Sequence, residues 1–401
     1  MKVLVSLTLC IVGLGGAEYQ AYPQLHDLIS EAEINNPEIQ AMRLQYEAMQ
    51  TRTSAFRYLD DPWLSIEFDG DMRMYSISQE FPFPTKINAH SDIARYDVQQ
   101  IYEEYQNTRR EVIARVKSTY GQLYVISKEI EALRRSRDIL NQISRIAQQN
   151  YALNKGSQAD VLRTQVEISR IENELLNLND EKSIMATELN AILNRPLDTN
   201  LGEISDVETE DVNPNVTELD SLAKENHPGL KSLRFAIKSK NASLSLAKQE
   251  YLPDFMVGFE QQEMDGQFVD SKFMFGLTLP IWSLGKQRNM VNEMQAEKKM
   301  AEAEYKAMEN MILVQVHEAK IKVDKQKRQM DLYENRILPQ IEATLKVSLR
   351  AYEVDQIDFL TVLDNQRLLV ETELDNYRAQ ADYSIAVAEL EAAVGRELVN
   401  R

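Results

Sequence analysis

The chain repeats itself, and that duplication constrains its fold more than any other feature. Asn36-Pro37, in EINNPEI, returns as His227-Pro228 in KENHPGL, 191 positions later. Further on the offset settles at 201, pairing Tyr151 with Tyr352, Val161-Leu162 with Val362-Leu363, and Gln165 with Gln366. Leu189–Arg195 (LNAILNR) likewise matches Leu390–Arg396 (LEAAVGR). Matches in one order at nearly one spacing define two copies of one structural unit. The units read as 18–196 and 221–401, joined by 197–220, a stretch with eight acids and no Lys or Arg. That composition predicts a polar connector rather than a core element.

Inside each unit the period of the apolar pattern changes. A first helix is expected over Leu25–Leu59 and again over Leu219–Tyr251. Each should bend or break at its Asn-Pro or His-Pro, because the residue before proline avoids the helical region. Alternation follows: Leu64, Ile66 and Phe68 in the first unit, Phe255, Val257 and Phe259 in the second. Asp69-Gly70-Asp71 and Asp265-Gly266 turn the chain into second strands, one over Met72–Phe81 and one through Phe273, Phe275, Leu277 and Leu279. Pro82 and Pro280 close these hairpins.

Then helix resumes. No proline interrupts Thr85–Asn150, a rod of roughly 100 Å at 1.5 Å per residue. Leu133, Leu140, Ile143 and Ala147 form a coiled-coil-like seam along it. Gly156 is read as the point where the chain turns back, at the far tip of a long antiparallel hairpin. Leu175, Leu178, Met185, Leu189 and Ile192 make the seam of the return helix, echoed by Leu374, Tyr377, Ala381, Ile385 and Ala388. The fold class is therefore mainly α with a small β part: long antiparallel helical hairpins plus four strands per chain. The 13 glycines and 11 prolines suit that balance.

A formal charge of −18 excludes a nucleic-acid partner, which needs a basic surface. Residues 1–17 read as a secretory signal, with Gly15 and Ala17 suited to the cleavage site; a buried N-terminal helix is the other reading. The apolar run is too short to span a bilayer. Cys10, the only cysteine, lies inside that segment, and bulky Leu9 before it argues against lipid attachment. Membrane contact beyond the signal has to use strands. Strands cross lipid only in closed barrels of about eight or more, so four strands need sister copies. The alternative is that the hairpins pack on their own helices as a soluble cap.

In order and in duplication, these segments resemble the TolC-like outer-membrane efflux proteins. The carriers are Asn36-Pro37 with His227-Pro228, the strand exits QEFPFPTK and LTLPIWSLGK, the tip runs YALNKGSQADVLRTQ and AYEVDQIDFLTVLDNQ, and the ends AILNRPL and AAVGREL. The resemblance implies a homotrimer whose strands form a 12-stranded barrel in the lipid of the Gram-negative outer membrane. Its helices would continue as an α-barrel across the periplasm. It further implies a passive duct without catalysis or cofactor, docked on a periplasmic adaptor protein and an inner-membrane pump. Asp364 matches a position that lines the periplasmic constriction, where three copies would make an acidic ring. Asp355 and Asp358 would thicken that ring, and Asp160 fills the tip position that makes gate-closing polar contacts. Gly156 and Ser157 keep the family's adaptor-docking turn, whereas Ile357 stands where relatives have glycine. These acids have a plainer reading as solvent-facing residues near a loop. The strand exits lean toward the heavy-metal branch of the family.

Other residues add little. Arg195 and Arg396 read as structural partners of acids or helix ends. Met290 and Met294, and Met308 and Met311, share helix faces and read as seam packing, the other reading being pairs that hand along soft copper(I) in a metal-exporting system. The four histidines form no ligand pattern, so no metal site is expected. Nor is there a phosphate loop, zinc spacing or nucleophile with a histidine partner, so the chain does not read as an enzyme. The competing function is an exported coiled-coil scaffold without a pore.

Overall fold

Pro37 and Pro228 set the first corner of each unit. In the computed structural model, which describes residues 24–55, 59–205, 212, 214–354 and 356–398, helix α1 (Leu25–Asn35) stops at Asn36 and α2 (Pro37–Ala55) starts at the proline. Asn36 is extended, and its Oδ1 accepts the Glu38 and Ile39 amides at 2.9 and 3.2 Å. Its Nδ2 donates to the Ile192 carbonyl at 2.8 Å, tying the corner to the end of the return helix. In the second unit α5 (Val216–Asn226) and α6 (Pro228–Gln249) meet at His227, whose Nδ1 accepts the Gly229 amide at 3.1 Å. The predicted breaks are thus real, and both are capped. The leader at 1–17, with Cys10, lies outside the described residues.

Four strands follow the two corners: β1 (Trp63–Asp69), β2 (Met72–Phe81), β3 (Asp254–Met264) and β4 (Gln267–Thr278). They form one antiparallel sheet in the order β1-β2-β3-β4, so the two units meet at the β2–β3 ladder. Directly paired residues share a face. Leu64, Ile77, Phe259 and Phe273 therefore stand on one side, with Phe255, Phe275 and Leu277. Ser65, Ser76, Glu260 and Lys272 stand on the other, where Ser65 and Ser76 hydroxyls lie 2.7 Å apart and Lys272 reaches Glu260 at 3.6 Å. Phe273 and Phe275 are 73% and 80% exposed, and neither face is packed under a helix. The soluble-cap alternative fails on that point.

The long helices are α3 (Pro84–Ala152) with its return α4 (Gln158–Ile192), and α7 (Lys286–Leu332) with α8 (Leu338–Glu353) and their return α9 (Phe359–Val394). A π-helical turn, Tyr333–Ile337, joins α7 to α8 just before Pro339, which has no N–H to offer the ladder. It houses one extra residue: Lys286 follows Lys86 by 200 positions, whereas Tyr352 follows Tyr151 by 201. The turn keeps the second hairpin in step with the first despite that insertion.

Helix packing is lopsided. In the half near the sheet, α2 packs on α3 alone, while its counterpart α6 bridges α3 and α7. Towards the tip, α4 packs chiefly on α3 and touches α9 only along one edge, while its counterpart α9 lies between α3 and α7–α8. The sequence seam of α9 is consequently only one of two buried stripes; Ala379, Tyr383, Ala386, Val387 and Leu390 are also buried.

Two expectations need correction. The acidic connector is not purely polar: Leu201 enters the core of the first unit beside Leu28 and Leu189, and Val212 enters that of the second beside Leu219 and Leu230. Tyr120 Oη donates to the Ser205 carbonyl at 3.1 Å, and Tyr383 Oη accepts the Val212 amide at 3.1 Å, so two buried tyrosines pin the stretch at both ends. Helix α5 also begins at Val216, inside the acidic segment, with Asn215 as its cap. Sequence reading missed a second tie altogether. Lys86 is buried with its ammonium 2.8 Å from Asp254 and 3.4 Å from Glu250, and the Phe83 amide donates to Asp254 at 2.9 Å. That cluster clamps the start of α3 to the start of β3. Arg195 pairs with Glu31, the structural role expected of it.

His227 supplies a test of the second corner. Burial, with the Arg110 guanidinium beside it, lowers its pKa from 6.5 to about 4. Gly395, which ends α9 at φ +77°, presses on it: a Cβ there would sit 2.7 Å from His227 Cα. Only a neutral ring can accept the Gly229 amide. Because the folded pKa is depressed, this contribution is full above pH 6.5 and is lost as pH falls towards 4. His227→Asn, which installs the residue of the first corner, should remove about 1–3 kcal/mol of pH-dependent stability across that interval. Melting temperatures of parent and variant, compared across the window, measure it.

Candidate functional site

At the tip, two hairpin ends merge into one cluster. Leu140, Ile143 and Ala147 from α3 pack with Tyr352, Phe359, Val362 and Leu363 from the second hairpin, flanked by Val161, Ile168 and Ile357. The first turn falls at Gly156, and its left-handed residue lies two positions earlier. Asn154, at φ +58°, takes the left-handed position, not Gly156. Gly156 allows a close approach: a Cβ would lie 3.2 Å from Asn150 Cβ, and the Lys155 and Gly156 amides both reach the Asn150 carbonyl, at 2.8 and 3.2 Å.

Both return helices start on a side-chain cap at equivalent positions, with the residue types exchanged. Ser157 caps α4, accepting the Asp160 amide at 3.3 Å while Asp160 Oδ2 accepts the Ser157 amide at 3.2 Å, a reciprocal capping box. Asp358 caps α9, accepting the Thr361 amide at 3.0 Å and also the Thr361 hydroxyl. The Thr361 hydroxyl and then its amide hold the Asp358 carboxyl below the ordinary aspartate value of 3.8. Asp160 and Asp358 are therefore committed to helix starts. Ile357 is half-buried against the tip cluster, so the second turn is anchored by an apolar plug where the first uses glycine.

Asp364 stands apart from them. Its side chain is 72% exposed, 3.8 Å from Arg367 one turn on. Arg367 in turn grips Glu167 on α4, and that bond raises its pKa. Sequence reading missed this pair, although the repeat offers a signal: Arg367 occupies the counterpart of Val166, at the offset of 201. The structure does not gather the acids within one chain, and Asp355 lies outside the described residues. No group of three or more His, Cys, Asp or Glu among the described residues is arranged to hold a metal. Of the methionine pairs, Met308 packs on the second core, whereas Met311 is 47% exposed.

Three pairs of equivalent positions near the tip differ in burial in the same direction. Tyr151 is 48% exposed and Tyr352 6%; Leu162 is 53% exposed and Leu363 3%. Gln165 is exposed, while Gln366 is buried and donates to Ser136 on α3 at 2.8 Å. The second-unit residues are covered by α3; no element among the described residues covers the first-unit ones. No helix among the described residues is long and apolar enough to cross a membrane.

A duplicated helical hairpin ending in an open, two-faced sheet defines the class of outer-membrane efflux channels. The chain belongs to the outer membrane efflux protein family, whose pattern matches residues 28–195 and 219–396, one match per unit. Solved structures agree on the fold. CusC superposes with a TM-score of 0.79 at 14% identity, over 96% of this chain and 95% of that one. A membrane protein from Pseudomonas aeruginosa gives 0.78 at 18%, over 92% and 93%. The outer membrane protein VceC from Vibrio cholerae gives 0.77 at 15%, over 94% and 97%. No curated protein matches by sequence.

The exchanged caps behave differently with acid. Ser157→Ala should destabilise the start of α4 by about 1 kcal/mol at any pH. The α9 cap depends on the Asp358 charge, so it is intact at neutral pH and lost as pH falls below 3.8. Hydrogen exchange at the Asp160 and Thr361 amides, corrected for intrinsic rate, reports both: protection at Thr361 falls with acid and that at Asp160 does not.

Proposed function

We propose that three copies of this chain close into a duct through the outer membrane, with the strands sealing a barrel in lipid and the helical hairpins extending it into the periplasm. The carrying observation is that the chain is an open wall with two unlike edges. One edge is β1, α2 and α4; the other is β4, α7 and α8. Unlike edges join head to tail and generate a ring when the rotation closes. Burial of Tyr352, Leu363 and Gln366 under α3 supports the same cover for Tyr151, Leu162 and Gln165, supplied by α7–α8 of the next copy. The exposed phenylalanines of β3 and β4 suit lipid, and the opposite face suits water.

The duct conducts passively what an inner-membrane pump expels through a periplasmic adaptor, and the tip is where the adaptor docks. Gly156, Ser157 and Ile357 shape the two turns that meet it. Asp364, the exposed tip acid that caps no helix, faces the narrow end of the duct and its three copies form a cation-favouring ring. A pore-free scaffold would have no use for an uncovered phenylalanine face.

Reconstitution in a planar bilayer tests the reading: discrete conductance steps are expected, and a chain that stays in water without inserting would refute it. Asp364→Asn should lower the cation-over-anion permeability ratio about twofold or more. Unchanged selectivity would retire the ring and leave the duct standing.

A further inference from the structure

The water-suited face of the sheet carries an anomaly. Met72, Met74, Met256, Met264 and Met274 all stand on it, five of the chain's 15 methionines. The register puts none on the phenylalanine face. Met72 is directly opposite Met264, Met74 is opposite Gln262, and Met256 and Met274 each lie across from a glycine. Their methyl groups fold over those glycines, Met274 Cε lying 3.0 Å from where a Gly258 Cβ would be and Met256 Cε 3.0 Å from a Gly276 Cβ. The other residues of this face are chiefly serines, carboxylates and amides, with Trp63 at its margin.

A flexible apolar filler would be as useful against lipid as against water. Its restriction to one side points to the sulfur, which is a soft, polarizable donor. Carboxylates accompany the thioethers: Asp69 is directly across from Met72, Glu67 from Met74, and Glu80 from Met256. Directly opposed side chains on neighbouring strands stand roughly 5 Å apart at Cβ, within joint reach of one ion. Carboxylates draw cations of every kind, but thioethers discriminate for soft ones such as copper(I). Met72 and Met74 are half-buried while Met264 is 48% exposed, so the donors are held by the sheet yet open to a passing ion.

We propose that this face is a thioether track that binds soft monovalent metal cations, copper(I) or silver(I), as cargo moving along the duct. Met72, Met74 and Met264 form the station at the turn end, and Met256 with Met274 the station near the helices. Neutral sulfur donors hold such an ion without trapping it as thiolates would, and a conducting site must also release. What travels over the face rests on the duct reading; the binding site does not.

Silver nitrate in chloride-free buffer is the probe, applied to the full chain assembled in detergent. Dialysis with metal analysis should show silver on the parent, and X-ray absorption should show sulfur around it. Replacing the five with leucine, which keeps volume, should cut silver bound at limiting free metal at least fivefold. Met290→Leu/Met294→Leu on α7 should leave it unchanged, and potassium conductance should survive the five substitutions. Equal silver on parent and the five-leucine variant would overturn the proposal. So would absence of a silver–sulfur shell in the parent, which needs no variant. A parent that binds silver through these sulfurs but never conducts would refute the duct and leave the site in place.

Discussion

A four-stranded sheet cannot satisfy its own edges in lipid, and the rest of this molecule is arranged around that constraint. Among the described residues no further strand pairs with the outer edges of β1 and β4, and no helix packs on the phenylalanine face. In water such a sheet invites uncontrolled edge pairing; in a bilayer each unpaired group is costly. Both difficulties vanish if β4 of one copy pairs with β1 of the next. The helices share the asymmetry: α6 and α9 are flanked by α7 and α7–α8, and α2 and α4 have no such flanking helices among the described residues. One rule, unit after unit around a ring, serves sheet and helices together.

Within the chain the β2–β3 ladder already shows what the missing contact looks like, because there the two units meet. The Lys86 cluster stiffens that junction. A lysine so deeply buried is tolerable because two carboxylates surround its ammonium, and removing either would leave a charge uncompensated. At the opposite end, the tip is built for definition rather than strength. Capped helix starts, a glycine-tight turn and an isoleucine plug fix two loops that carry few other contacts. Exchange of Ser157 and Asp160 for Asp358 and Thr361 preserves the cap while changing its response to acid.

Much of this was legible in the sequence because it is periodic. Alternation in Leu64, Ile66 and Phe68 located a strand, proline-free threes and fours located the hairpins, and the duplication located the units. What stayed hidden depends on contacts without period. Lys86 and Asp254 are 168 positions apart and no local pattern joins them. Leu201 and Val212 looked like stray apolar residues in an acidic stretch, yet each fills a core. At the first tip turn the left-handed position falls on Asn154, although glycine is the usual residue there, and no local pattern marks it. The tip acids illustrate a further limit: sequence alone makes Asp160, Asp358 and Asp364 look alike, whereas hydrogen bonding separates two caps from one exposed carboxylate beside Arg367. Methionine on the strands escaped notice because the face it shares is defined by register, not by composition.

The central claim, that neighbouring copies join edge to edge, is open to one direct measurement. The only native cysteine is Cys10, so with Cys10 replaced by serine, single cysteines introduced along β1 and along β4 can be oxidised pairwise in the membrane-inserted protein without interference. The account predicts, for pairs in register, covalent dimers and trimers on a denaturing gel and nothing larger. Monomers alone at every register, or an unbounded ladder of higher species, would contradict it.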